Sequence, residues 1–419
     1  MEPSSPEPWT LVQHTIPAFQ SRAYRRAVRD PNNSRLYLHV NEYRITDPGT
    51  TEPKGITIIF AHGLESTKEQ YEPFFSDLLK TVRSGTSIKA IFAADIYNHG
   101  QSFLLNKDEI GDEAEWLDPG RDIVQMINHF RSQKDESRAY MAPPLVGMGQ
   151  SFGAVHVLAP AAWHPRLFHA LVCIEPVVEN GSWHDDGQGT RASTQFRYRL
   201  HEMQTSWRNI REARDYFAKS PYYGAFEPRV FEKTIKYELW RPDPMSERVT
   251  LVTPILQRLV WYMKPDPPYE GIAPTEDYAT RSEKSILPGG FYRSECDRIK
   301  DLMLGIHCKT FYLWSRNGDW ISDAGYRKRL LDCTGTGRGQ VTHAFVEKGS
   351  HALNFENPYG TAVQVAKYLD SIWTDWLDEE VKRLQEPVPN AVELPKELVE
   401  RLDRYLLGIR KDTKKRSNL

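Results

Sequence analysis

Four short, mostly apolar runs, separated by stretches with helical spacing, organise the first half of the chain. They are Ile56–Ala61, Ile88–Ala94, Pro144–Met148 and Ala170–Ile174. Runs of this length without polar alternation read as strands buried on both faces. Between them, Tyr71–Val82, Arg121–Arg131 and Phe152–Trp163 place apolar residues three or four apart, as helices packed on a sheet do. Upstream, two strand-like runs, Trp9–Ile16 and Arg35–Arg44, flank the turn-forming Asp30-Pro31-Asn32-Asn33. Strand–helix alternation of this kind predicts βαβ units, hence a mostly parallel sheet flanked by helices.

From about Asn180 to Lys300 the pattern changes. Polar, aromatic-rich stretches with helical character (Gln195–Ala218, Arg229–Leu239, Val249–Met263) are separated by Pro-rich connectors. This predicts a helical cap inserted after the sixth strand. Alternation resumes with strand Thr310–Trp314, a helix near Tyr326–Leu331, strand Thr342–Val346 and helix Tyr359–Gln385. Pro395 then opens a last amphipathic helix. The expected organisation is an α/β core over residues 1–179 and 301–385, a cap over 180–300, and a C-terminal helix with basic tail over 386–419.

Bulk properties narrow the functional classes. The 419 residues carry 54 Lys+Arg against 56 Asp+Glu, a net charge of −2 that argues against a nucleic-acid binder. No stretch approaches the roughly 18–20 consecutive apolar residues of a membrane span. The opening MEPSSPEPWT has neither the basic nor the apolar region of a secretory signal. Cys173, Cys296, Cys308 and Cys333 are scattered, which fits a reducing compartment rather than a disulfide framework.

The sharpest chemical signal is Gly149-Gln150-Ser151-Phe152-Gly153, a G-x-S-x-G between a strand and an apolar helix. A nucleophile lifted clear of a sheet needs a tight strand-to-helix turn, and small residues two before and two after it leave room for that turn. The helix N-terminus then aims the Phe152 N–H at a developing oxyanion. A serine hydroxyl needs a base, and the base needs a third group to fix its tautomer. His351 follows the last strand in Gly349-Ser350-His351, where a loop could bring it over Ser151. His156, His164 and His169, in or beside the helix after the serine, are expected to cover the surface or neighbouring turns. Two acids end strands downstream, Glu175 after Ala170–Ile174 and Asp319 after Thr310–Trp314, and local sequence leaves both open. A second oxyanion donor is expected at Leu64, where Gly63 in Ala61-His62-Gly63-Leu64 permits close approach.

Three weaker signals are set aside. Gly335–Gly339 mimics a dinucleotide fingerprint but follows a helix and precedes a strand. His184-Asp185-Asp186 and the His307–Cys308 pair lack metal-ligand spacing, so neither a metal nor another cofactor is expected.

In order and spacing, His62-Gly63, Asp95–Ser102 (DIYNHGQS), GQSFG and Gly349-Ser350-His351 resemble the α/β-hydrolase superfamily. Tyr71-Glu72-Pro73, Ile127–Arg131, Pro144–Gly147 and His164–Phe168 are more narrowly similar to fungal peroxisomal acyl-CoA hydrolases of secondary metabolism, of the mycophenolic acid type. The resemblance implies an α/β-hydrolase fold and a small-molecule acyl-CoA or ester substrate. It also implies an acid in a short acid-Pro step after the nucleophile strand, here Glu175-Pro176, with Glu where the family carries Asp. Ser417-Asn418-Leu419, behind Lys414-Lys415-Arg416, resembles a peroxisomal address read by an import receptor. The long C-terminal helices offer a surface for a homodimer.

Overall fold

The computed structural model describes residues 7–45, 53–178, 202–262, 295–317, 324–335, 340–386, 392 and 394–416. Eight strands form one sheet: β1 (Thr10–Pro17), β2 (Tyr37–Arg44), β3 (Ile56–Ala61), β4 (Ile88–Ala94), β5 (Leu145–Gln150), β6 (Ala170–Ile174), β10 (Lys309–Ser315) and β11 (Val341–Val346). Their order is β1-β2-β4-β3-β5-β6-β10-β11. The β1–β2 and β2–β4 pairs are antiparallel and the others parallel. Every residue of β3, β5 and β6 is buried, so their largely apolar character follows from being covered on both faces.

The covering helices are α1 (Glu72–Thr81), α2 (Gly100–Asn106), α3 (Asp118–Ser132), α4 (Gly153–Trp163), α8 (Glu295–Met303), α9 (Ala324–Cys333) and α10 (Pro358–Gln385). Two apolar cores result, one on each face of the sheet. Leaving β3, the chain crosses to β4 on one side and then returns to β5 on the other. Strand order reverses there, and in open α/β sheets the crevice at the carboxyl ends of such strands is where ligands bind.

The insertion after β6 departs from the expected run of long helices. Among its described residues, short strands β7 (Ser206–Trp207), β8 (Leu239–Trp240) and β9 (Val249–Leu251) form a sheet of order β7-β9-β8. Helices α5 (Ile210–Lys219), α6 (Pro228–Tyr237) and α7 (Ile255–Leu259) accompany it. Val249, expected to open a helix, lies in a strand because Val249 and Leu251 bury one face and Pro254 delays the helix to Ile255.

The chain divides into two compact units at Thr374/Asp375, inside α10. The first holds the sheet and the insertion. The second holds the end of α10 and α11 (Lys396–Arg416), on which Leu402, Tyr405 and Leu406 are exposed.

Candidate active site

Ser151 sits in the turn between β5 and α4 with φ at +54°, a left-handed conformation costly for a residue with a side chain. The turn is pinned by Ser151 N donating to Ile174 O (2.8 Å) and by Val177 N donating to Ser151 O (3.1 Å). Its glycines are sterically required. A Cβ on Gly149 would lie 2.2 Å from Gly153 O, and one on Gly153 would lie 2.2 Å from Ala61 O. The elbow is thus wedged between its own helix and the end of β3.

His351 reaches this serine from 200 residues away, its Nε2 lying 2.8 Å from Ser151 Oγ. The loop that carries it is braced at several points. Gly349 takes φ +125°, its carbonyl accepts the Ser315 hydroxyl, and Glu356 accepts both Ser350 N (2.6 Å) and Ser350 Oγ (2.6 Å). Gln150 Nε2 donates to His351 O at 3.1 Å, tying the loop to the elbow.

Glu175 ends β6 at φ +45° and is fully buried. Its Oε1 accepts Ser315 N at 2.5 Å, and its Oε2 lies 3.3 Å from His351 Nδ1. A carboxylate at Nδ1 favours the tautomer protonated there, leaving the Nε2 lone pair toward the serine hydroxyl. Asp319, the alternative acid, lies outside the described residues.

The loop after β3 presents a second set of donors. His62 is fully buried, and burial, only partly offset by Asp95, lowers its pKa below the ordinary histidine value. Its Nε2 accepts Ile96 N (2.9 Å), so its Nδ1 is the protonated nitrogen and donates to Gly63 O (2.7 Å). The same carbonyl accepts the Ser66 hydroxyl at 2.8 Å. In a trans peptide the C=O and the following N–H point opposite ways. Two donors clamping the Gly63 carbonyl therefore fix the direction of the Leu64 N–H. Gly63 itself abuts the elbow: a Cβ there would meet Gln150 Oε1 at 2.3 Å and Ser151 Cβ at 3.3 Å. Phe152, next to the serine, is clamped by rings of Trp116, His156 and Trp261, with centroids 4.8, 4.4 and 5.2 Å away.

Several site-supporting residues escaped the sequence reading. Tyr71 OH accepts Gly63 N (3.0 Å) and donates to Gln150 Oε1 (2.9 Å), bridging the two loops. Lys68, fully buried, contacts Asp95 Oδ2 at 2.6 Å and Glu69 Oε1 at 2.7 Å. Burial pulls its ammonium down, but the two carboxylates outweigh that and hold it above the ordinary lysine value. His39, Glu69 and Asp95 offer ligand atoms within 4.8 Å of one another, yet the cation against both carboxylates is this ammonium. The usable signal was Asp95 followed by Gly100, whose Cβ would lie 2.6 Å from the Asp95 carboxylate. His156, expected to cover the surface or a neighbouring turn, is instead buried against the Phe152 ring, because its helix packs on the sheet at that face, and burial holds its pKa well below the ordinary value.

Sheet, elbow and strand-end loops together are those of an α/β hydrolase. The model of the alpha/beta hydrolase family matches residues 58–365, more than half of the chain, and the chain belongs to that family. Among curated proteins it is similar to the type I acyl-CoA thioesterase mpaH' of Penicillium brevicompactum, 36% identical over 47% of this chain and 43% of that one. It is also similar to mpaH of Penicillium roqueforti, 34% identical over 56% of this chain and 51% of that one. The chain thus spans about half the length of the curated relatives it matches. Among solved structures, the peroxisomal α/β-hydrolase Lpx1 of Saccharomyces cerevisiae superposes with a TM-score of 0.66 at 17% identity, over 96% of this chain and 98% of that one. At that identity the likeness speaks to the fold.

Proposed function

We propose that this protein is a serine hydrolase that cleaves an acyl thioester of the acyl-CoA class through Ser151, His351 and Glu175. The observation that carries the reading is the continuous contact from Ser151 Oγ to His351 Nε2 (2.8 Å) and from His351 Nδ1 to Glu175 Oε2 (3.3 Å). His351 takes the serine proton as Oγ attacks the thioester carbon, and the Leu64 and Phe152 N–H groups receive the oxyanion. The C–S bond breaks as His351 returns the proton to the leaving sulfur. A water that gives its proton to His351 then attacks the acyl-enzyme, and Ser151 leaves with that proton. Glu175 orients His351 and stabilises its cationic form.

The thioester class is supported by the mpaH relatives, which are type I acyl-CoA thioesterases. We extend the reading to residues 180–300 as a cap over the site, on a core of residues 1–179 and 301–385. A peroxisomal location is supported by the 30% identity, over 29% of this chain and 31% of that one, to the peroxisomal membrane protein LPX1 of Saccharomyces cerevisiae; its import signal would be Ser417-Asn418-Leu419, outside the described residues. Exposed Leu402, Tyr405 and Leu406 on α11 support a homodimer.

The test is to assay the purified chain against a panel of acyl-CoAs and matched oxygen esters, beside Ser151→Ala. Thioester turnover that disappears in Ser151→Ala is expected. Preference for oxygen esters would instead make it a carboxylester or lactone hydrolase or a lipase. Failure of a fluorophosphonate to label Ser151 in folded protein would make it a non-catalytic ligand-binding homologue.

A further inference from the structure

The insertion carries an open groove of about 480 Å³, walled by α6 and the small sheet. Its floor is apolar, built from the buried Leu239 and Val249, and the half-buried indole of Trp240 forms one wall. Lys236 and Arg241 are exposed at the rim. A third cation, Lys107 at the end of α2, holds its Nζ 5.7 Å from the centroid of the Trp240 ring. This charge is not cancelled locally. Glu232 is the carboxylate among the lining residues and is taken by Arg214, while Lys233 is taken by Glu72. Among the described residues Lys107, Lys236 and Arg241 form no ion pair.

Buried bonds hold the groove in place from both flanks. Gln70 Nε2 donates to Thr234 Oγ1 at 2.8 Å, which fastens α6 to the loop after β3. Glu238, between α6 and β8, accepts Arg258 Nη2 at 2.6 Å, and Arg258 stands in the field of Glu65, the neighbour of Leu64. On the other flank Gly100 N donates to Thr253 Oγ1 at 3.0 Å, which fixes α2, and with it Lys107, against the insertion. Core and insertion thus meet around one indole.

We propose that this groove is a nucleotide site, in which the base packs against Trp240 and the apolar floor and the phosphates pair with Lys107, Lys236 and Arg241. Every base has a face that stacks on an aromatic side chain, and ammonium and guanidinium groups are the side chains that take phosphate. A fatty carboxylate brings a single charge to three cations. A bare polyphosphate leaves the indole and the floor unused. The volume is that of a small-molecule cleft. The nucleotide is either that of an acyl-CoA or a free one. The site stands on the groove alone; its assignment to the substrate rests on the thioester reading above.

The experiment titrates the whole chain in a calorimeter with adenosine 3′,5′-bisphosphate and, at the same ionic strength, with tripolyphosphate. The bisphosphate is expected to bind in the micromolar range and about tenfold tighter than tripolyphosphate, the excess coming from the base. Lys236→Gln/Arg241→Gln should weaken the bisphosphate by about tenfold or more, and Trp240→Ala should remove its advantage over tripolyphosphate. Both cations are exposed, so the double variant should unfold at the wild-type temperature; if it does not, the wild-type preference decides alone. No binding, binding no tighter than tripolyphosphate, or binding that survives the variants overturns the site. Turnover then names the source. Competitive inhibition of acyl-CoA hydrolysis by the bisphosphate, with KM raised about tenfold in the double variant, assigns the site to the substrate's own nucleotide. Binding without competition assigns it to a free nucleotide. A chain that hydrolyses no acyl-CoA sinks the thioesterase reading and leaves the titration to decide the site.

Discussion

Glu65→Gln tests whether the carboxyl beside the oxyanion loop is held largely protonated. Burial raises its pKa from 4.5 to about 7, with the Glu238 charge adding to the rise and Arg258 and the Tyr262 hydrogen bond opposing it. A rise of that size corresponds to about 3 kcal/mol of preference for the neutral form in the folded state. The folded pKa lies above the unfolded one, so this stabilisation is fully present below about pH 4.5 and is lost as pH climbs to about 7. Gln is neutral throughout and keeps an oxygen for Tyr262. The stability of Glu65→Gln relative to wild type should therefore improve by about 3 kcal/mol between about pH 4 and about pH 8. Glu115, which burial also raises to about 7, titrates in both proteins and cancels from the difference. The assay is urea unfolding of both proteins at the two pH values, followed by tryptophan fluorescence. A gap between variant and wild type that stays constant with pH would show that Glu65 is ionised in the fold, and the argument would be lost.

Three further outcomes follow from the site geometry. Glu175→Gln should lower kcat by about 10⁴-fold with the fold intact, while Asp319→Asn should leave most activity, as steady-state kinetics of the pair will decide. Gly153→Ala would put a Cβ 2.2 Å from Ala61 O and 2.6 Å from His62 O, so it should lose turnover and about 1–3 kcal/mol of stability, read by activity and thermal unfolding. Ser66→Ala removes one of two donors clamping the Gly63 carbonyl and should lower kcat about tenfold with KM nearly unchanged; an effect on KM alone would contradict a role at the oxyanion donor.

How legible each part was depends on how local its cause is. Strands β3, β5 and β6 could be read because burial on both faces leaves a mostly apolar run without polar alternation, a signal complete within five or six residues. The elbow could be read because two steric contacts fix two glycines at set distances from one serine. The small sheet of the insertion could not, since strands of two or three residues carry no period, and Trp207 is buried much as a helical residue would be. Nor could the choice of acid. Strands β6 and β10 lie side by side, with Ile174 opposite Leu313, so in sequence an acid after either strand was a candidate. Arg258 and Glu238 were illegible for another reason: their pairing is tertiary, and each alone reads as an ordinary polar residue on a polar segment.

The backbone conformations place strain where the chemistry is proposed. Among the described residues, the non-glycine positions with positive φ are Glu65, Ser151 and Glu175. They follow β3, β5 and β6, three consecutive strands in the sheet order, and each lies within four residues of its strand's end. A left-handed residue with a side chain costs on the order of 1 kcal/mol and persists only where its surroundings over-determine it. Here the surroundings do so. Ser151 N is bonded to Ile174 O, Glu175 N to Leu313 O, and the Glu65 carboxyl to Tyr262 of the insertion. Each bond joins one strained turn to the next strand or to the insertion, so none of the three turns can relax by itself. A chain under no functional demand would place glycine at such positions, as this one does at Gly100 and Gly349. Side chains kept at these three turns therefore mark groups whose direction matters more than the local stability they sacrifice.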